Sequence, residues 1–170
     1  SLSASGSRFY GLQFSTISIS GNFSGAGAGQ STLDDIIFER CTFLATINQF
    51  PQDQLSNLTY RNCLFKNNTL YALYSSANLS NMLITNCVFD NVNFADNPFG
   101  GATDANGNIV VRNSLFLNRV SNNFNGLAEI VLENNIFYKS EPTGLVTSTF
   151  NNNLTYLCNS NTIPTVDLGV

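Results

Sequence analysis

The chain has no histidine and no tryptophan, one methionine, four prolines, and charged residues at only 11% of its length. Without histidine there is no imidazole base and no imidazole ligand, which removes Ser-His and Cys-His nucleophile pairs and the usual zinc enzymes. Seven Lys and Arg stand against eleven Asp and Glu, for a net charge of -4. No basic run is present, so the electrostatic footprint of a nucleic-acid binder is missing. No apolar stretch approaches the roughly 20 residues that would span a bilayer. The opening Ser1-Leu2-Ser3-Ala4 carries neither the basic region nor the apolar core of a signal peptide. The sequence is therefore expected to be a mature form or a piece of a longer chain.

What is there compensates for the missing charge. Of 170 residues, 26 are Asn and 32 are Ser or Thr, with 14 Phe among the apolar ones. That length suits one domain with its own core. A motif repeats along it: apolar, any, apolar, any, Asn, a small residue, any, Phe. Its clearest copy is Ile109-Val110-Val111-Arg112-Asn113-Ser114-Leu115-Phe116, with others at 36–43, 58–65, 82–89 and 130–137. Weaker copies sit at 7–14 and 148–155. Anchored on residues 12, 41, 63, 87, 114, 135 and 153, the copies recur 18 to 29 residues apart. Period-two alternation inside each copy predicts a short strand, a turn and a second buried residue. Insertions of variable length, as at 45–57 and 91–108, read as loops leaving one face of a solenoid.

The expected fold is all-β: a right-handed parallel β-helix of about seven coils, roughly 34 Å long at about 4.8 Å per coil. Residues 1–170 form a single β-helix domain in this reading. One inner column is Phe14, Phe43, Phe65, Phe89, Phe116 and Phe137, closed by Thr155. A second is Phe9, Phe38, Tyr60, Ile84, Val111, Leu132 and Phe150. The turn column is Gly11, Arg40, Asn62, Asn86, Asn113, Asn134 and Asn152. Asn tolerates the left-handed backbone such a corner needs, and its amide can bond the same amide on the next coil. This pattern resembles the right-handed parallel β-helix proteins of the pectin-lyase-like superfamily, bacterial extracellular type, whose coils carry strand, Asn-Cys and Phe in this order. Right-handedness follows from that resemblance and from the preference of parallel crossovers.

Cys41, Cys63 and Cys87 occupy one position in successive copies, followed by Ser114, Asn135 and Asn153. Ligands spread along an axis do not converge on a metal, so the thiols are expected as small buried hydrophobes. A disulfide between neighbours is allowed by distance, and Cys158 lies outside the column. Outward-facing Glu39 and Arg61, and Arg112 and Glu133, pair opposite charges on adjacent coils. A second outward column of Ile37, Thr59, Leu83, Val110, Val131 and Thr149 is apolar enough to need cover, from a loop of this chain or from a partner.

The resemblance brings polysaccharide lyases and hydrolases into view, but the acids do not gather. A lyase of this type needs carboxylates on calcium with an Arg or Lys base, and a hydrolase needs a close carboxylate pair. No two successive coils place acids in matching columns. Asp104-Ala105-Asn106-Gly107-Asn108 alternates oxygen ligands with a glycine, and Asp96 can join from the same insertion. Asp96, Asp104, Asn106 and Asn108 are thus the candidate Ca2+ ligands, although the same residue types form ordinary turns. No other cofactor is expected. The insertions also hold Tyr71, Tyr74, Phe94, Phe99 and Phe124, candidates for stacking on sugar rings. The expected function is a non-catalytic extracellular or cell-surface scaffold, an adhesive module binding a polysaccharide or other surface glycan and joined to further domains of a longer chain. The alternatives are a fragment of a polysaccharide lyase or hydrolase, and a trimeric phage-type fibre.

Overall fold

The computed structural model describes residues 5–15, 17–19, 32–44, 47–49, 54–67, 69–71, 79–95, 109–124, 130–143 and 148–158. Among these residues the regular structure is all strand, in three parallel sheets. No helix there is long and apolar enough to cross a membrane. The first sheet stacks β1 (Arg8–Tyr10), β4 (Thr32–Glu39), β7 (Gln54–Arg61), β10 (Leu79–Thr85), β13 (Ile109–Arg112), β15 (Ile130–Glu133) and β17 (Ser148–Asn151). The second stacks β2 (Gln13–Phe14), β5 (Thr42–Phe43), β8 (Leu64–Lys66), β11 (Val88–Asp90), β14 (Leu115–Asn123), β16 (Ile136–Thr143) and β18 (Leu154–Tyr156). The third holds β3 (Ile17–Ile19), β6 (Ile47–Gln49), β9 (Thr69–Tyr71) and β12 (Asn93–Ala95). Neighbours in a sheet are one motif copy apart in sequence, which makes the chain a parallel β-solenoid.

Both inner columns form in the expected register. Phe14 pairs with Phe43, Phe43 with Phe65, Phe65 with Phe89, Phe89 with Phe116 and Phe116 with Phe137. Their rings stack at 4.6–5.1 Å between centroids with planes 6–12° apart. The spacing of strands in a sheet thus doubles as a good ring-stacking distance. Phe38, Tyr60, Ile84, Val111 and Leu132 run beside this stack, and Ile36, Leu58, Met82, Ile109 and Ile130 form a third buried column. Burying each Phe is worth about 1.5–3 kcal/mol. No single coil could do this alone.

The corners explain the asparagine. Gly11, Arg40, Asn62, Asn86, Asn113, Asn134 and Asn152 all have φ between 51° and 65°, the left-handed region. Gly11 has open space around an added Cβ, so its backbone angle rather than crowding favours glycine there. The corner N–H groups from Gly11 to Asn134 reach along the axis, as Asn62 N does to Thr85 O at 3.1 Å and Asn113 N to Glu133 O at 3.0 Å. A second left-handed column follows the second sheet: Asn67, Asn91, Asn118, Lys139 and Leu157. A third bends the first-sheet strands at Gly6, Asp35, Asn57 and Asn81. Arg40 lacks the amide of its column, and its Nη1 instead donates to Tyr10 Oη at 2.6 Å.

Behind the first corner runs the small-residue column, and all four cysteines of the chain are free thiols. Cys41, Cys63, Cys87, Ser114, Asn135 and Asn153 are buried. Each carries a side chain that serves the preceding coil's backbone. Asn135 Oδ1 accepts the Ser114 N–H at 2.9 Å while its Nδ2 donates to Val111 O at 2.9 Å. Asn153 does the same for Asn135 N–H and Leu132 O. Ser114 Oγ accepts the Cys87 N–H at 3.1 Å. The Cys63 thiol points at Phe38 O, 3.4 Å away. Thiol, hydroxyl and amide are interchangeable here because each both donates and accepts.

Candidate functional site

The aromatic and calcium-ligand candidates divide by where they fall. Tyr74, Phe99, Asp96, Asp104, Asn106 and Asn108 lie outside the described residues. Tyr71 sits in β9 opposite Ala95, and Phe94 in β12 opposite Leu70. The Leu70 position continues through Ile47 to Ile17, which is buried. Phe124 is described, and the structure corrects its assignment: it is wholly buried and packs edge-on against Phe116 and Phe137. Its ring completes the core where the second sheet ends, so it offers no face to a sugar.

Exposed apolar side chains gather instead on the outer face of the second sheet. One outward column is Thr42, Leu64, Val88, Leu115, Ile136 and Leu154, in register. Beside it run Lys66, Asp90, Leu117, Tyr138 and Tyr156. Alternation puts Phe65, Phe89, Phe116 and Phe137 inward between these columns, which forces their neighbours out. Ile136 is 45% exposed, Leu154 40% and Tyr156 58%. Tyr138 and Tyr156 stack at 5.8 Å with planes 19° apart, and the Lys139 ammonium lies 5.3 Å from the Tyr138 ring centre. The motif's seventh position, read from sequence as unconstrained, is Leu, Val, Leu, Ile and Leu in five consecutive copies. That run was the signal for this strip.

Leu64, Val88, Leu115, Leu117 and Tyr138 are half-buried, and the first sheet's outer face is similar. Ile37, Thr59, Leu83, Val110, Val131 and Thr149 are half-buried there. Arg61 pairs with Glu39 at 2.6 Å, whereas Arg112 and Glu133 are in register without an ion pair among the described residues. Arg8 pairs with Asp35. Ser56 Oγ and Asn57 Nδ2 each donate to Asp34 Oδ1 at 2.7 Å, and these bonds, Ser56 first, hold the Asp34 carboxyl below its usual range. Burial pushes the Cys41 thiol up. Cys87 is pushed up further, by its contact with Cys63 and then by burial. These two thiols stay protonated and serve the backbone. Among the described residues no three His, Cys, Asp or Glu side chains are placed to hold a metal ion.

No protein-family model matches the chain, and no curated protein matches it either. Its architecture, a parallel β-solenoid with asparagine corners and a stacked phenylalanine core, is what its own residues establish.

Proposed function

We propose that this chain is a non-catalytic β-solenoid scaffold of a secreted or cell-surface protein, and that it binds glycan on its outer surface. One observation carries the reading: the strip of Leu, Val, Ile and stacked Tyr side chains on the outer face of the second sheet, exposed at Ile136, Leu154 and Tyr156 and held on a hydrogen-bonded ladder of coils. Aromatic and aliphatic surface beside uncharged hydrogen-bonding groups suits sugar, which has apolar C–H faces and a rim of hydroxyls. Within this proposal the chain stands with the pectin-lyase-like solenoids. The order of strand, left-handed Asn, buried small residue and stacked Phe supports that placement.

The test is incubation of the purified chain with neutral and acidic polysaccharides, with calcium and with chelator. Retention in affinity gels and release of new chain ends are both followed. Binding without new ends is the expected result. Release of new ends would replace the scaffold with a depolymerising enzyme.

A further inference from the structure

We infer that the outer face of the second sheet is a linear track for an extended, uncharged polysaccharide lying along the solenoid axis. The inference rests on the glycan-binding reading above and gives it a site, a ligand class and a direction. The floor of the track is the apolar column from Leu64 to Leu154 beside Leu117, Tyr138 and Tyr156. On one side the floor is bordered by the exposed first corner, from Asn62 through Asn86, Asn113 and Asn134 to Asn152. On the other side it is bordered by exposed Asn67, Asn91 and Asn118 and then Lys139. Amides therefore flank the apolar floor at five rungs on one side and at three on the other, where Lys139 and Leu157 follow, repeating at about 4.8 Å per rung.

The amides have bonding capacity to spare. Asn91 Nδ2 donates to Asn67 Oδ1 at 3.0 Å, and Asn118 Nδ2 to Asp90 Oδ1 at 2.8 Å. Each bond uses one of the two N–H groups on its donor. The remaining N–H and carbonyl lone pairs match hydroxyls, which also both donate and accept. Charge bears on the ligand class: the floor carries Lys66 and Asp90, adjacent and opposite in sign, and Lys139 beside Tyr138 is the one further charge bordering it among the described residues, so no run of one sign lines the track. Such a floor gives a uronate chain no field to follow.

Dimensions select one polymer chain over a second copy of this protein. Two outward residues make a floor about 7 Å wide, and its five rungs make it about 24 Å long, roughly 170 Å² in all. A stable protein interface needs about 800 Å² from each partner. An unbranched glycan, one ring wide and periodic along its length, fits a narrow periodic strip.

The experiment is affinity electrophoresis through gels containing hydroxyethylcellulose, galactomannan or polygalacturonate. The chain is run as wild type and as Tyr156→Ala, Leu115→Asp and, on the first sheet, Val131→Ser, with thermal melts confirming that each is folded. Tyr156 is exposed, so its variant keeps the test valid if Leu115→Asp does not fold. The expected result is retardation by a neutral polymer, weakened about tenfold in Tyr156→Ala and kept in Val131→Ser. Retardation that survives both strip variants would place glycan binding on another face and overturn the track alone. Retardation by polygalacturonate only would overturn the neutral ligand class. Absence of retardation by every polymer would overturn the glycan-binding reading itself. A concentration-dependent dimer in sedimentation, abolished by Tyr156→Ala, would make the strip a self-association surface and also overturn the track.

Discussion

Replacing Asn135 probes the backbone-serving column at its most demanding point. Asn135 is buried, its Oδ1 accepts the Ser114 N–H, and its Nδ2 donates to Val111 O, both at 2.9 Å. Asn135→Ala strips both partners without admitting water. At about 1–3 kcal/mol for each of the two stranded groups, the loss is about 2–6 kcal/mol. Asn135→Ser keeps an acceptor for the Ser114 N–H, as Ser114 itself does for Cys87 at 3.1 Å, and forfeits the bond to Val111. It should cost about 1–2 kcal/mol. Asn135→Asp keeps the shape and the acceptor but sets a carboxylate against the Val111 carbonyl. Burial would raise its folded-state pKa above the unfolded value of about 3.9, so its penalty is absent below that pH and grows as pH rises. Urea unfolding followed by circular dichroism gives the order wild type, Ser, Ala, and hydrogen exchange reads the Ser114 amide directly. Equal midpoints for Ser and Ala, with unchanged exchange at Ser114, would refute the claim that this column supports the backbone.

The thiols offer a second check. Cys41, Cys63 and Cys87 are buried and Cys158 is half-exposed, so a native-state thiol titration should label Cys158 first and the others only on unfolding. Rapid labelling of two or more would contradict the stacked column. Leu157 occupies a left-handed corner with φ of 57°, where its column carries Asn at three rungs. Leu157→Asn should stabilise by about 0.5–1 kcal/mol, and a lower urea midpoint would count against it. The Asp34 carboxyl is held low by Ser56 and Asn57, so its NMR titration midpoint should lie below 3.8 and rise in Asn57→Ala. Because the folded-state value is depressed, this contribution is present above the unfolded pKa and lost as pH falls through the folded one. An unshifted midpoint in the variant would remove the Asn57 hydrogen bond as a cause.

Where a position repeats its residue type coil after coil, the sequence was enough to place it. The Phe stack, the neighbouring aromatic and aliphatic column and the first corner, down to its exceptions Gly11 and Arg40, were all legible. Each is set by contacts one rung away, so the repeat itself carries the information. The second corner was harder, because Asn67, Asn91 and Asn118 give way to Lys139 and Leu157 and side-chain identity stops marking the left-handed backbone. Phe124 misled for a related reason. It lies beyond the last motif position, where the length of β14 decides which way a ring turns. The exposed strip was written in the sequence as an apolar seventh position. The motif left that position unconstrained, and the alternation of the folded strand put its side chains outside.

The most direct test of the account is a binding titration with a length series of one neutral oligosaccharide, from disaccharide to octasaccharide. A track along the axis predicts affinity that keeps rising as the ligand lengthens, and levels off only near the strip's reach of about 24 Å. Affinity that is full at the disaccharide, or absent at every length, would contradict it.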